Sequence, residues 1–338
     1  MPMRYIGKPL KRKEDPRLIQ GISHYVDDLT LAGMHYAAFL RSPYAHANIR
    51  SIDLSKARHA PGVILALSGA DVAGAIQPVP CAAQIPDMKA APRPVLATDR
   101  VRFVGEAVAV VVAEGRYAAR DALDLIEVEY EPLTPLVNPE KAISKGAAPM
   151  HAGHKDNIAY KWELEGGDLK AAFKSADKVI KQRIVNQRLI PVPLEPRGVL
   201  AEYKPGEGQL TVWSSTQIPH LLRTQIASML KYPETLVRVI TPEVGGGFGS
   251  KLNVYPEEAL VAYLAMQTGK PVKWMESRRE NFQATIHGRG QVGTLEAAVR
   301  TRSSTVSKEV GWTRRQETTT SAGVNTAQRL GDRCKSIP

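Results

Sequence analysis

The feature that most constrains the fold of this chain is the glycine loop, the run GGGFGSK at residues 245–251. Its four glycines let the backbone adopt positive φ and approach a ligand closely, and successive free N–H groups form an anion-binding nest. A strand predicted at 237–240 precedes the loop and a helix predicted at 256–268 follows it. The spacing matches neither a phosphate-binding P-loop nor a dinucleotide fingerprint. A plain turn and a ligand site both stay open.

The pattern of apolar residues predicts an α+β fold with two main segments. In the first, the almost wholly apolar stretch 107–112 indicates a buried strand, with a helix at 117–123 and a half-buried strand at 125–130 after it. The second mixes helices at 219–231 and 256–268 with several strands. These strands are expected at 178–186, 198–203, 210–214, 237–240 and from 273 onward.

Changes in composition set the predicted boundaries. Residues 1–16 form a charged lead-in, 17–135 a first domain that we expect to fold independently, and 136–156 a linker rich in Pro, Gly and Ala. A second domain covers 157–291. The tail, 292–338, carries eight Lys/Arg against four Asp/Glu and many Ser/Thr, with no strand or helix pattern. We therefore expect the tail to be disordered.

Charge and cysteine content exclude several classes of protein. The net charge is +11, but aromatic residues are only 6% and no basic stripe accompanies them, so nucleic-acid binding is not predicted. Two cysteines, Cys81 and Cys334, are too few for an iron–sulfur cluster, which needs about four thiolates. No apolar run approaches the roughly 20 residues of a membrane span, and the lead-in lacks the apolar core of a secretory signal. The expected location is the cytoplasm.

Three further motifs carry polar side chains. In the segment 213–220 we expect Ser215 or Thr216 to cap the following helix, whereas Gln217 either faces solvent or donates its amide N–H to a ligand. Glu195 and Arg197 are expected to form an ion pair beside a rigid turn. The basic run HGRG at 287–290, which follows SRRE at 277–280, is typical of a solvated face.

The order and spacing of these motifs resemble one family: the molybdenum-cofactor large subunits of xanthine dehydrogenase, aldehyde oxidase and carbon monoxide dehydrogenase. The resemblance runs from residue 7 to residue 290. Its segments are 7–8, 12–17, RSPYAHA at 41–47, VRFVGEAVA at 101–109, EPRG at 195–198, STQ at 215–217, the glycine loop and HGRG at 287–290.

The resemblance implies an α/β hammerhead domain followed by the first part of a molybdopterin-binding domain. It also implies a pterin cofactor with molybdenum, often extended by a cytosine nucleotide in bacterial members. In the family the matching Gln, here Gln217, donates to an oxygen on molybdenum, and the matching Phe, here Phe248, lies beside the metal without protein ligation. The backbone of Gly246, Gly247 and Gly249 would support the cofactor.

The implied reaction is hydroxylation of an aldehyde or N-heterocycle, with water as the oxygen source. Electrons would pass to an iron–sulfur small subunit and an FAD medium subunit, so those cofactors lie on partner chains. Purine-oxidising members place a Glu directly after the loop lysine; Leu252 stands here, so purine oxidation is not expected.

The resemblance covers only the N-terminal part of a family subunit. The family's general-base Glu lies beyond the matched region, so no catalytic residue is assigned. We expect a truncated chain that is poorly soluble and inactive alone. The alternative is a non-catalytic cofactor-binding or assembly remnant.

Overall fold

The structure, a computed structural model, describes residues 5–81, 85–151, 153–164 and 166–300. Within these ranges the strands are β1 (His35–Arg41), β2 (Ala47–Asp53), β3 (Val63–Ser68), β4 (Arg100–Val101), β5 (Ala107–Ala113), β6 (Glu127–Pro132), β7 (Lys178–Asn186), β8 (Gly198–Lys204), β9 (Gln209–Ser214), β10 (Val237–Ile240), β11 (Val272–Met275) and β12 (Gln291–Val299). The helices are α1 (Asp15–Ile19), α2 (Ser55–Arg58), α3 (Gly69–Val72), α4 (Arg116–Asp121), α5 (Pro139–Ala142), α6 (Leu169–Lys174), α7 (Pro219–Leu230), α8 (Pro256–Thr268) and α9 (Arg278–Ala284).

A seven-stranded sheet forms the centre of the molecule, in the order β10-β9-β8-β11-β1-β5-β3. The pairs β10–β9 and β11–β1 are parallel, and the other neighbours are antiparallel. Strand β5 has the sequence AVAVVVA and is buried along its whole length, as expected for β-branched residues in a central strand. The predicted buried strand is therefore confirmed.

Helices α7 and α8 cover part of this sheet. Both begin with a proline, whose missing N–H and fixed φ suit the first helical position. Helix α8 carries Glu257 and Glu258 in its first turn and ends at Gly269, which has φ +63° as a left-handed cap. Most of α8 is buried. The predicted bounds of α8 and its burial are confirmed.

One core joins the two predicted domains. Strands β1, β3 and β5 come from the first segment, and β8 to β11 come from the second. The principal hydrophobic cluster takes residues from both, and Phe39 meets Trp274 edge-to-face with ring centroids 5.3 Å apart. Separating the segments would expose this surface, which argues against independent folding of residues 17–135.

Two smaller sheets lie apart from the central one. The first, in the order β4-β2-β6, belongs to the first segment. The second is a ribbon in which β12 pairs antiparallel with β7, from Gln291 opposite Asn186 to Val299 opposite Lys178. The expectation that the tail lacks a strand is wrong for residues 292–299, because β7 supplies a pairing partner that is distant in sequence. The rest of the tail, 301–338, lies outside the described residues.

Several other sequence-based expectations need adjustment. Strands β2 and β4 and helix α9 were not predicted, and the predicted linker contains the short helix α5. Helix α5 is capped by Asn138, whose side chain accepts from two backbone N–H groups. Within the described ranges, no helix has the length and apolar character needed to cross a membrane.

Candidate functional site

The ends of two neighbouring parallel strands bring the predicted motifs together. Strand β9 pairs with β10 in parallel, with Trp213 opposite Ile240 at their carboxyl ends. The chain leaves β9 into the segment 215–217, and it leaves β10 toward the glycine loop. Because the carboxyl ends of parallel strands share one edge of a sheet, ligands commonly bind beside them.

Gln217 lies directly against the glycine loop. Its backbone N–H donates to the carbonyl oxygen of Lys251 at 2.9 Å. A Cβ built on Gly247 would lie 2.5 Å from Cδ of Gln217, closer than real Cβ contacts allow. Residue 247 must therefore be glycine while Gln217 holds this position. Gln217 is exposed, so its amide can meet a bound molecule.

The backbone of the glycine loop is held open by left-handed residues. Gly246 and Gly249 have φ +98° and +88°, and Phe248 has φ +49°, an uncommon value for a residue with a side chain. Phe248 is 74% exposed, so its ring is not packed in the core beneath the loop. A Cβ on Gly246 would meet the Phe248 ring at 2.9 Å.

The amides of the loop remain available to a ligand. The N–H and the Oγ of Ser250 both donate to the Gly247 carbonyl at 2.9 Å and close the turn. In the part of the chain that the structure describes, the N–H groups of residues 246–249 donate no hydrogen bond. Successive unpaired amides in such a turn favour an anion or another acceptor.

A partly buried carboxylate, Glu195, joins the loop to the end of β9. Its Oε2 accepts from Ser215 Oγ at 2.7 Å, from the N–H of Gly245 at 2.8 Å and from Lys251 Nζ at 2.8 Å. Its other oxygen, Oε1, is buried and has no partner within the described residues. Glu195 thus fixes the distance between the Gln217 segment and the glycine loop.

Lys251 uses its ammonium group inside the protein. The side chain is fully buried, and Nζ also donates to the backbone oxygen of Glu195 at 2.9 Å. Burial lowers the pKa of Lys251, and the hydrogen bond to Glu195 opposes that shift. Unlike the lysine of a P-loop, Lys251 holds the loop in place from below.

Arg197 lies beneath the same turn and does not pair with Glu195, so the predicted ion pair is wrong. Its guanidinium donates to Glu276 at 2.6 Å and to Glu257 at 3.0 Å, and it stacks 3.8 Å from the centre of the Tyr255 ring. Burial alone would raise the pKa of Glu257, but Arg197 and Arg41 lower it to about 2. These pairs fix the start of α8 against β8 and β11.

Further hydrogen bonds link the start of α8 to the glycine loop and to the end of β9. Tyr255 Oη donates to the carbonyl of Ser250 at 2.6 Å. Glu258 accepts from the Tyr255 N–H at 2.9 Å and from Ser214 Oγ at 2.7 Å. Burial raises the pKa of Glu258 to about 7 despite these hydrogen bonds.

The remaining motifs have structural or peripheral positions. Ser215 and Thr216 do not cap α7, because its N-cap is Ile218 and Ser215 Oγ donates to Glu195 instead. His220 is exposed in the first turn of α7. The HGRG run pairs through Gly288 with Leu189 and leaves its arginine exposed.

The pairing of Glu195 with Lys251 was not predicted. The two residues are 56 positions apart, and neither belongs to a periodic pattern that would place them together. The available signals were that Glu195 directly precedes a proline and that Lys251 is the last residue of the glycine loop.

Family profiles match nearly the whole described chain. A profile described as "Molybdopterin cofactor-binding domain" matches residues 150–334, which extends past the predicted boundary at 291. A second, described as "Aldehyde oxidase and xanthine dehydrogenase, a/b hammerhead domain", matches residues 20–134. The α+β class and the order of the two domain types agree with these profiles.

Relatives of known activity are similar over most of this chain. The nicotine 6-hydroxylase large subunit of Paenarthrobacter nicotinovorans is 40% identical, with 87% of this chain and 36% of that protein covered. The carbon monoxide dehydrogenase large chain of Afipia carboxidovorans is 38% identical, covering 87% and 37%. The chain therefore spans a little over a third of the length of these relatives.

Solved structures give the same picture. Quinoline 2-oxidoreductase from Pseudomonas putida 86 superposes with a TM-score of 0.82 at 40% identity, covering 86% of this chain and 37% of that one. A Cu,Mo-containing carbon monoxide dehydrogenase superposes with a TM-score of 0.79 at 36% identity, covering 87% and 38%.

Proposed function

The chain belongs to the family of molybdopterin-binding large subunits that includes the xanthine and carbon monoxide dehydrogenases, and from this premise we propose that it holds a molybdenum–molybdopterin cofactor between Gln217 and the glycine loop. The family is one of oxidoreductases. The proposed reaction of the complete enzyme is hydroxylation of an aldehyde or N-heterocycle, with water as the oxygen source. We propose the cytosine dinucleotide form of the pterin, as is common in bacterial members of the family.

One observation carries this proposal: the contact between Gln217 and Gly247. It joins an exposed amide donor to a loop whose own N–H groups are unpaired. If the loop were only a turn, residue 247 would not have to be a glycine that leaves room for the side chain of Gln217. Both features face the edge of the sheet where ligands bind in α/β structures.

The residues present suit a large polar cofactor in three respects. A side chain at 247 would displace Gln217 from the loop. The amides of residues 246–249 have no acceptor within the described residues, and the pterin side chain of the cofactor ends in an anionic group. The buried Oε1 of Glu195 is an acceptor that still lacks a donor.

Each residue has a proposed role. When bound, the cofactor supplies two-electron oxidation at molybdenum. Gln217 donates its amide N–H toward the metal centre, and the backbone of Gly246, Gly247 and Gly249 supports the cofactor. Phe248 covers the cofactor on the side of the metal. Its exposed ring and its left-handed backbone favour this role. None of these residues transfers a proton, so catalysis needs a base from elsewhere.

Partner chains are part of the proposal. The similar proteins are named large subunit, large chain or subunit gamma, which supports a complex of several chains. We propose an iron–sulfur small subunit and an FAD medium subunit as electron acceptors. Since this chain spans about 36% of the nicotine 6-hydroxylase large subunit, we also propose that these 338 residues bind cofactor without turnover. The alternative, a cofactor-binding or assembly module, shares the binding step.

The test is cofactor content. The chain is produced in cells that make the pterin cofactor, and molybdenum and pterin are measured per purified chain. Gly247→Val should abolish retention because the new side chain would occupy the Gln217 contact. Gly206→Val is the matched control, since Gly206 has open space around its Cβ position and no positive φ.

The outcomes separate the readings. Retention by the wild type and the control, with loss in Gly247→Val, is the expected result. Undiminished molybdenum and pterin in Gly247→Val would show that the loop is only a turn. Turnover of an aldehyde or N-heterocycle, assayed with both partner chains, would contradict the proposed inactivity.

A further inference from the structure

A cavity lies where β1 and β11 meet, and neither Gln217 nor any residue of the glycine loop lines it. Its volume is about 430 Å³. Its walls include the apolar side chains of Phe39, Trp274 and Leu123. Sites for small molecules typically have roughly 300–1,000 Å³ and are mainly apolar, with a few polar groups that orient the ligand. The cavity has the size of such a site, and its lining is divided about equally between polar and apolar surface.

The charged groups around this cavity are mostly positive. The cations are Arg41, Arg116, Arg120, Lys273 and Arg279. Glu280 is the one carboxylate among the lining residues, and its Oε1 is engaged by Arg41 Nε at 2.8 Å. Arg116 pairs with Asp27, and Lys273 donates to the Asp27 carbonyl at 2.8 Å. Two lining cations remain without such a partner.

Those two cations are Arg120 and Arg279, contributed by α4 and α9. Both side chains are exposed, and neither forms an ion pair or side-chain hydrogen bond within the described residues. They come from opposite predicted domains, so the cavity brings them together only in the folded chain. Their like charges make the potential on this side of the cavity positive, which favours an anionic ligand.

Arg41 adds a buried cation to the cavity wall. The side chain of Arg41 is only 8% exposed, yet its Nη2 has no hydrogen-bond partner within the described residues. Its Nε and Nη1 are used by Glu280 and Glu257. Because Nη2 is itself buried, Arg41 contributes its positive charge to the cavity wall and not a free hydrogen-bond donor.

We propose that this cavity binds a small organic anion through a carboxylate or phosphate group. A guanidinium presents a rigid fork of donors that matches either group, and the apolar wall accommodates the body of the molecule. The volume of about 430 Å³ favours a small molecule over an acidic peptide, which needs a longer groove. The proposal does not depend on cofactor binding at the glycine loop.

The test is calorimetric titration of the purified full chain with inorganic phosphate and, separately, with succinate, at low ionic strength. Hydrogen exchange of the segments 116–120 and 277–283 locates the bound anion. The double variant Arg120→Gln/Arg279→Gln should weaken binding about tenfold or more, as expected for loss of hydrogen bonds to a charged group. The two substituted side chains are exposed, so the fold should be unaffected.

Arg238→Gln/Lys204→Gln is the matched control, because it removes the same charge from exposed positions outside the cavity. It should change the affinity by no more than about twofold. Binding of phosphate alone or succinate alone supports the proposal and identifies the group recognised. The proposal is overturned if neither probe binds saturably, if both double variants weaken binding equally, or if only a polyglutamate peptide binds.

Discussion

The glycine loop and the β7–β12 ribbon belong to neighbouring stretches of one chain but are stabilised differently. Around the loop, charged side chains are buried, and the ion pair of Lys251 with Glu195 has no exposed lysine surface. In the ribbon every residue of β7 is exposed, and Lys181 pairs with Glu296 at the surface. Both pairs are close, at 2.8 and 2.6 Å, so distance does not distinguish them.

Burial is what separates the two regions. A buried carboxylate that loses its partner keeps the full cost of its desolvation, whereas an exposed one is solvated by water. The buried contacts of Lys251 therefore hold the glycine loop in one geometry, whereas the surface ion pair contributes little to the stability of the ribbon. A site that must hold Gln217 against Gly247 requires buried charged contacts such as those around the glycine loop.

The largest expected effect is that of Lys251→Met. This change leaves Glu195, which is 11% exposed, with only Ser215 and Gly245 as donors, which should lower the free energy of unfolding by about 3–5 kcal/mol. Lys181→Met is the matched change in the ribbon and should alter the free energy of unfolding by about 0.5 kcal/mol or less. Both values come from urea unfolding followed by circular dichroism. Similar losses in the two variants would remove the distinction drawn between the regions.

A smaller effect should appear in the pH dependence of stability. Burial raises the pKa of Glu258 to about 7, while the unfolded side chain ionises near the ordinary pKa of a glutamate, 4.5. Between these values the folded state binds more protons than the unfolded state, so stability should fall as the pH rises, by about 3 kcal/mol at most. Glu106, with its pKa raised to about 6 by burial, contributes in the same direction.

The matched variant for this effect is Glu258→Gln, which is neutral at every pH. Urea unfolding at pH 5, 6, 7 and 8 should show a fall in the wild type that is largely absent above pH 6 in the variant. Glu257, with its pKa lowered to about 2, adds stability that is lost only as the pH falls below 4.5. A wild type whose stability is constant or rises from pH 5 to 8 would contradict the claim that Glu258 is buried in its protonated form.

Local patterns in the sequence were enough to predict most of the regular elements. The bounds of β7, β10 and α8 were predicted to the residue, because alternation, β-branched residues and helix caps are local signals. Helix α9 was missed, since its basic start resembled a solvated surface. In the structure Ser277 caps it and Glu280 pairs with Arg41 from a distant strand.

Long-range pairing set the limit of prediction at the site. The motifs containing Gln217 and Gly247 were identified, but nothing local indicated that Glu195 would connect them or that Arg197 would turn away to Glu276 and Glu257. The same reason accounts for β12, whose partner strand lies more than 100 positions earlier in the chain. Such contacts depend on the register of the whole sheet.

The most direct test of the central claim, that the glycine loop amides hold the cofactor, is hydrogen exchange with and without bound cofactor. The account predicts that exchange at residues 246–249 slows by about tenfold or more on loading, while the turn at 205–208 is unchanged and serves as the internal reference. Stoichiometric cofactor with unchanged exchange at 246–249 would contradict it.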